Sequence, residues 1–114
     1  MITIDALKQY GADTDEALKR CRGMEEFYLN LVNMQLGDEN FEKLEEAIAE
    51  GDVKKTFDAA HAIKGAAGNL SLTPILRPVE EITERCRHAE TMPDLSDLLS
   101  AYREALEGFR ALAE

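Results

Sequence analysis

Phe57-Asp58-Ala59-Ala60-His61-Ala62-Ile63-Lys64-Gly65-Ala66-Ala67-Gly68-Asn69-Leu70 decides the fold class of this chain. Wound as a helix at roughly 100° per residue, it gathers Phe57, Ala60, Ile63, Ala67 and Leu70 on one side. His61 then falls roughly 120° from the middle of that apolar stripe, so its ring is expected to point to water. Lys64 and Gly65 follow one turn later, and Gly68 lies close to the same line after two turns. An interior glycine costs a helix about 1 kcal/mol relative to alanine. Two of them beside an exposed histidine mark a surface kept bare so that another molecule can come close.

Upstream of this stretch, the chain is punctuated as helices. Asp52 is placed as the N-cap of the His61 helix, and Gly51 as the stop of the helix before it. In that preceding helix Phe41, Leu44, Ala47 and Ile48 form the apolar side, with Glu42, Glu45, Glu46 and Glu50 facing out. Met24 to Leu36 repeats apolar residues at three and four positions (Phe27, Leu31, Met34; Tyr28, Val32), with Gly37 as its cap and Asp38 opening the next helix. Asp13 and Glu16 have the spacing of a capping box, leading a short helix through Ala17, Leu18 and Cys21 that Gly23 breaks. Ile4 and Leu7 suit another short helix, ended by Gly11.

Downstream, Ser71-Leu72-Thr73-Pro74 reads as a turn, with Thr73 as cap and Pro74 at the first helical position. Val79, Ile82 and Cys86 line the following helix, whose start is expected to be irregular or kinked at Pro78. Thr91-Met92-Pro93 is expected to close it and open the last helix, where Leu95, Leu98, Leu99, Tyr102, Leu106 and Phe109 share a face. No stretch alternates with the period of a strand. The pattern predicts an all-α fold, an antiparallel four-helix bundle behind one or two short N-terminal helices, as a single domain over residues 1–114.

Composition narrows the function. With 45% hydrophobic residues and only three prolines, the 114-residue chain is long enough to bury a core. A net charge of −10, from 23 acidic and 13 basic side chains, disfavours nucleic acid as a partner. No segment has the apolar length of a membrane span, and the N-terminus lacks the regions of a signal peptide. The expectation is a cytoplasmic protein, with Cys21 and Cys86 as reduced thiols. No phosphate-binding GxxxxGK[ST] loop or kinase glycine loop is present, so the chain has no nucleotide site of its own. A zinc site from Cys21, Cys86, His61 and His88 is disfavoured, because Cys86 and His88 diverge on a helix and no CxxC pair exists.

Ala60-His61-x-Ile63-Lys64-Gly65, followed by Asn69-Leu70, resembles the signature of the histidine-containing phosphotransfer (HPt) domains of two-component phosphorelays. Leu18-x-Arg20-x-x-Gly23-x-Glu25-Glu26-Phe27-Tyr28 is similar to the segment that opens the bundle in many stand-alone members. One departure is Ser71, where members commonly carry glycine; it bears on the turn geometry. The resemblance implies that His61 accepts a phosphoryl group from a receiver-domain aspartate, or from a hybrid histidine kinase, and passes it to a response-regulator aspartate. It also implies no cofactor of the chain's own, with Mg²⁺ and the aspartate supplied by the receiver, and a monomer. A histidine side chain ordinarily titrates near pH 6.5, so a neutral, nucleophilic imidazole is available at neutral pH.

Lys64, one turn from His61, is placed to neutralise charge on the transferred group, while Gly65 and Gly68 leave room for the receiver to dock. Blander readings stand beside these. Lys64 also reads as a solvated helix charge, and the two glycines as sites of close helix packing. Asn69 suits a backbone bond near the helix end, and Arg85 and Arg87 are candidates to help hold the phosphate, with surface salt bridging the better reading for each. His88 is favoured by the dipole at a helix C-terminus. The rival function is a helical scaffold that binds a signalling partner and is never phosphorylated.

Overall fold

The computed structural model describes all residues from Met1 to Glu114, and every regular element in it is a helix. Seven are present: α1 (Ile4–Tyr10), α2 (Thr14–Arg20), α3 (Glu25–Leu36), α4 (Asn40–Glu50), α5 (Val53–Asn69), α6 (Thr73–Cys86) and α7 (Ser96–Leu112). Five of these have eleven residues or more, one beyond the four expected as the main body. None is long and apolar enough to cross a membrane.

The starts are set where short polar side chains accept orphan amides. Thr3 accepts from the Ala6 amide, Asp13 from Glu16 at 3.2 Å and Asp52 from Lys55 at 3.0 Å. The Asp13 box is half built, because the Glu16 carboxylate turns to Arg20 at 2.8 Å instead of reaching back. Gly51 closes α4 with φ +71, a conformation that costs glycine little. Thr73 does not cap α6; it is already helical, and Leu72 precedes it without a side-chain bond. The Leu72 carbonyl accepts from both Ile75 and Leu76, which tightens the first turn, and α6 then runs unbroken through buried Pro78.

α5 lies between α4 and α6, α7 packs on α6, and α1 and α3 reach α7. Their inner faces fuse into one apolar core in which Leu7, Tyr28, Val32, Leu44, Ile63, Ile75, Val79, Ile82, Tyr102 and Phe109 are fully buried. Each such Leu, Ile, Val or Phe contributes about 1.5–3 kcal/mol relative to exposure. α1 reaches this core through a close contact at Gly108, where a Cβ would run into the Tyr10 ring and hydroxyl. The Tyr10 hydroxyl donates to the Glu104 carbonyl, and its ring meets Phe109 edge-on at 4.8 Å.

One sequence expectation fails at the surface. α6 ends at Cys86, and the last helix begins at Ser96 rather than at Pro93. His88 takes φ +62 just past the α6 end, and Asp94 holds the Ser96 amide and hydroxyl at the start of α7. Meanwhile only Tyr28, Val32, Gln35 and Leu36 of α3 are buried. Phe27 and Met34, two of the apolar residues whose spacing marks this helix, are 50% and 73% exposed.

Candidate functional site

The buried face of α5 is made by Thr56, Ala59, Ala60, Ile63 and Ala67, and His61 is exposed on the opposite side. Phe57, expected in the core stripe, is only half-buried. It lies one turn before His61, and the two rings stack at 5.7 Å between centroids and 6° between planes. Phe57 thereby fixes the plane of an imidazole whose outer face stays open.

On one flank the surroundings are charged. The Arg87 guanidinium carbon lies 5.1 Å from the Phe57 ring centroid, and its Nη2 donates to Glu84 at 3.1 Å. The Arg87 hydrogen bond and charge hold the Glu84 carboxyl below the usual range, with Lys64 adding a smaller pull. Lys64 itself makes no ion pair. Arg85 points elsewhere, to Asp97 and the Asp94 carbonyl, each at 3.0 Å. Salt bridging thus accounts for Arg85 fully and for Arg87 in part.

The other flank is small and apolar. Ala62 and Gly65 are exposed, and a Cβ added at Gly65 would meet nothing within 4 Å. Further along, Ala66, Asn69 and Leu70 join Leu31, Met34 and Gln35 of α3, with Asp38 at one side, around a cavity of about 350 Å³. The exposed side of Phe27 and Met34 continues this surface across α3. Gly68 is different: it is half-buried against α6, where a Cβ would make an ordinary 3.8 Å contact with Leu76. The structure therefore groups His61, Lys64 and Gly65 on one accessible face and turns Gly68 toward the neighbouring helix.

Arg20, which opened the upstream motif, holds the end of α5. It donates to the Asn69 carbonyl at 2.9 Å, to the Gly68 carbonyl at 3.0 Å and to the Ser71 hydroxyl. The Tyr28 hydroxyl donates to the Leu70 carbonyl at 2.8 Å, and the Asp13 amide to the Ser71 carbonyl at 2.9 Å. Carbonyls that a helix end leaves orphaned are thus taken up by α2 and α3. Ser71 stands at φ +55, the left-handed conformation glycine would adopt freely, and its buried hydroxyl gains the Arg20 bond in exchange. The Asn69 side chain makes no backbone bond; only its carbonyl is used. Sequence spacing placed Arg20 on a helix but had no signal for a partner about fifty residues away.

No group of three or more His, Cys, Asp or Glu side chains converges to hold a metal ion. Cys21 and Cys86 are buried and unpaired, and burial pushes the Cys86 thiol above its ordinary value. The family described as the Hpt domain matches residues 34–112, which include α4 to α7 and with them His61, Lys64 and Gly65. No curated protein and no solved structure matches the chain.

Proposed function

Because the chain belongs to the Hpt domain family, we propose that it is a phosphorelay intermediate that carries a phosphoryl group on His61 between aspartates of receiver domains. A role in two-component phosphotransfer follows from the family; the residues and direction are our reading. The observation that supports it best is an exposed, plane-fixed imidazole beside an unpaired lysine and an open glycine. In the transfer, the lone pair of one imidazole nitrogen forms a P–N bond. The P–O bond to the donor aspartate breaks with its electron pair on the carboxylate, and the proton of the other ring nitrogen passes to solvent. The reverse exchange delivers the group to a second aspartate.

Lys64 neutralises part of the charge on the equatorial oxygens, which is where such a transition state concentrates it. Gly65 admits the partner's loops, and the apolar surface from Ala62 to Met34 gives the receiver a patch to cover. Gly68 lies half-buried against α6 and opens less of the docking face. On this reading the chain brings no cofactor of its own, and the receiver supplies Mg²⁺ together with its aspartate. We read residues 1–114 as one HPt-like domain in which α4–α7 make the antiparallel four-helix bundle, acting as a cytoplasmic monomer. Donors are receiver domains, including those of hybrid kinases.

Incubation with a panel of labelled, phosphorylated receivers tests the reading. Acid-labile, alkali-stable label is expected on wild type and absent from His61→Gln, with both chains equally folded. Lys64→Ala is expected to accept label more slowly. A wild-type chain that binds a receiver and never takes label would establish the scaffold function instead.

A further inference from the structure

We infer that Glu84 and Arg87 form a charge-exchange device: Arg87 leaves Glu84 to neutralise the phosphoryl group once it is on His61. The inference rests on the relay reading and extends it to two residues of the α6 end. Arg87 is positioned by contact, because its guanidinium covers the Phe57 ring and Phe57 stacks on His61. Guanidinium and imidazole are therefore separated by no more than the sum of those two ring distances. A flexible arginine side chain can cover much of that gap.

Charge sets the direction of the exchange. Glu84 offers one negative charge, whereas a phosphoryl group carries nearly two at neutral pH and presents three acceptor oxygens. Arginine's planar fork matches such an acceptor in two-point geometry. The Glu84–Arg87 pair is solvent-exposed, with side chains 55% and 39% accessible, so it is held only weakly and is easily broken. In the unphosphorylated protein, Glu84 thus restrains Arg87. Phosphorylation releases it.

The full chain can be tested without a receiver, using phosphoramidate as donor: the imidazole lone pair forms the new P–N bond while ammonia leaves with the electrons of the old one. The Nε–H resonance of Arg87, assigned by its loss in Arg87→Ala, is expected to move when wild type is phosphorylated and to stay fixed in His61→Gln treated identically. Arg87→Ala is expected to take up phosphoryl about tenfold more slowly, with Arg87→Lys recovering part of the rate. Glu84→Gln is expected to accelerate uptake about two- to fivefold, and most of that gain is expected to vanish in the Arg87→Ala background. A stationary Arg87 resonance, a wild-type rate in Arg87→Ala, or an equal Glu84→Gln gain in both backgrounds would each overturn the exchange. Absence of label from wild-type His61 would instead overturn the relay reading itself.

Discussion

Replacing Ser71 by glycine isolates the joint between the N-terminal helices and the end of α5. A left-handed serine costs about 1 kcal/mol or slightly more relative to glycine, so relief of φ +55 favours the substitution by that amount. The same change removes the hydroxyl that accepts from the Arg20 guanidinium. A hydrogen bond to a charged group is worth about 1.5–3 kcal/mol, and partial exposure of Arg20 argues for the lower end. In the wild-type background Ser71→Gly is therefore expected to destabilise by about 0.5 kcal/mol. In an Arg20→Ala background no such bond remains to lose, and the same substitution is expected to stabilise by about 1 kcal/mol. The assay is urea unfolding of the four chains of the cycle, supported by thermal melts in which 1 kcal/mol shifts Tm by about 4 °C. Effects of Ser71→Gly equal in both backgrounds to within about 0.4 kcal/mol would refute the coupling.

Three further outcomes follow from the geometry. Gly65→Ala fills open space on a helix and is expected to raise stability by about 1 kcal/mol while slowing transfer from a receiver, measured by urea unfolding and label uptake together. Gly108→Ala drives a methyl group into Tyr10 and is expected to cost about 1–3 kcal/mol, with loss of protection in the amide exchange of α1 but not of α5. Burial, with the nearby Cys21 adding to it, pushes the Tyr28 hydroxyl up to about 12 from its ordinary 10. Because the raised value favours the protonated form in the folded state, this contribution is complete below pH 10 and is lost as pH rises toward 12. It accounts for about 1.4 kcal/mol lost at pH 11, and Tyr28→Phe is expected to flatten that part of the alkaline stability profile.

Helix starts were legible at Asp13 and Asp52, where a short polar side chain serves its own amides, but Thr3 was not read as the cap it is and Thr73 was read as one it is not. The exposed face of α5 was equally legible, since periodicity alone sets His61, Lys64 and Gly65 apart from Ile63 and Ala67. What escaped depends on neighbours distant in sequence. Spacing cannot distinguish a stripe that faces the core from one that faces solvent, so it marked α3 as a helix without showing that Phe27 and Met34 lie outside. The early end of α6 reflects Arg85 reaching across to Asp97 and the Asp94 carbonyl, an irregular corner built by tertiary contacts. Arg20 and Arg87 were visible as charges, but only folding shows that one caps a helix end and the other covers the ring beside His61.

The unlike flanks of His61 restrict how any receiver can sit. A receiver that matched the apolar flank with an apolar surface would, turned about, set that surface on Lys64, Glu84 and Arg87 and its phosphate-bearing pocket over Met34. One pose is thus preferred, and under the relay reading donor and acceptor must both adopt it. They then exclude one another, so the relay runs as a ping-pong exchange with no ternary complex. Throughput depends on how quickly a spent donor leaves, and a receiver that binds too tightly becomes an inhibitor of the pathway it serves.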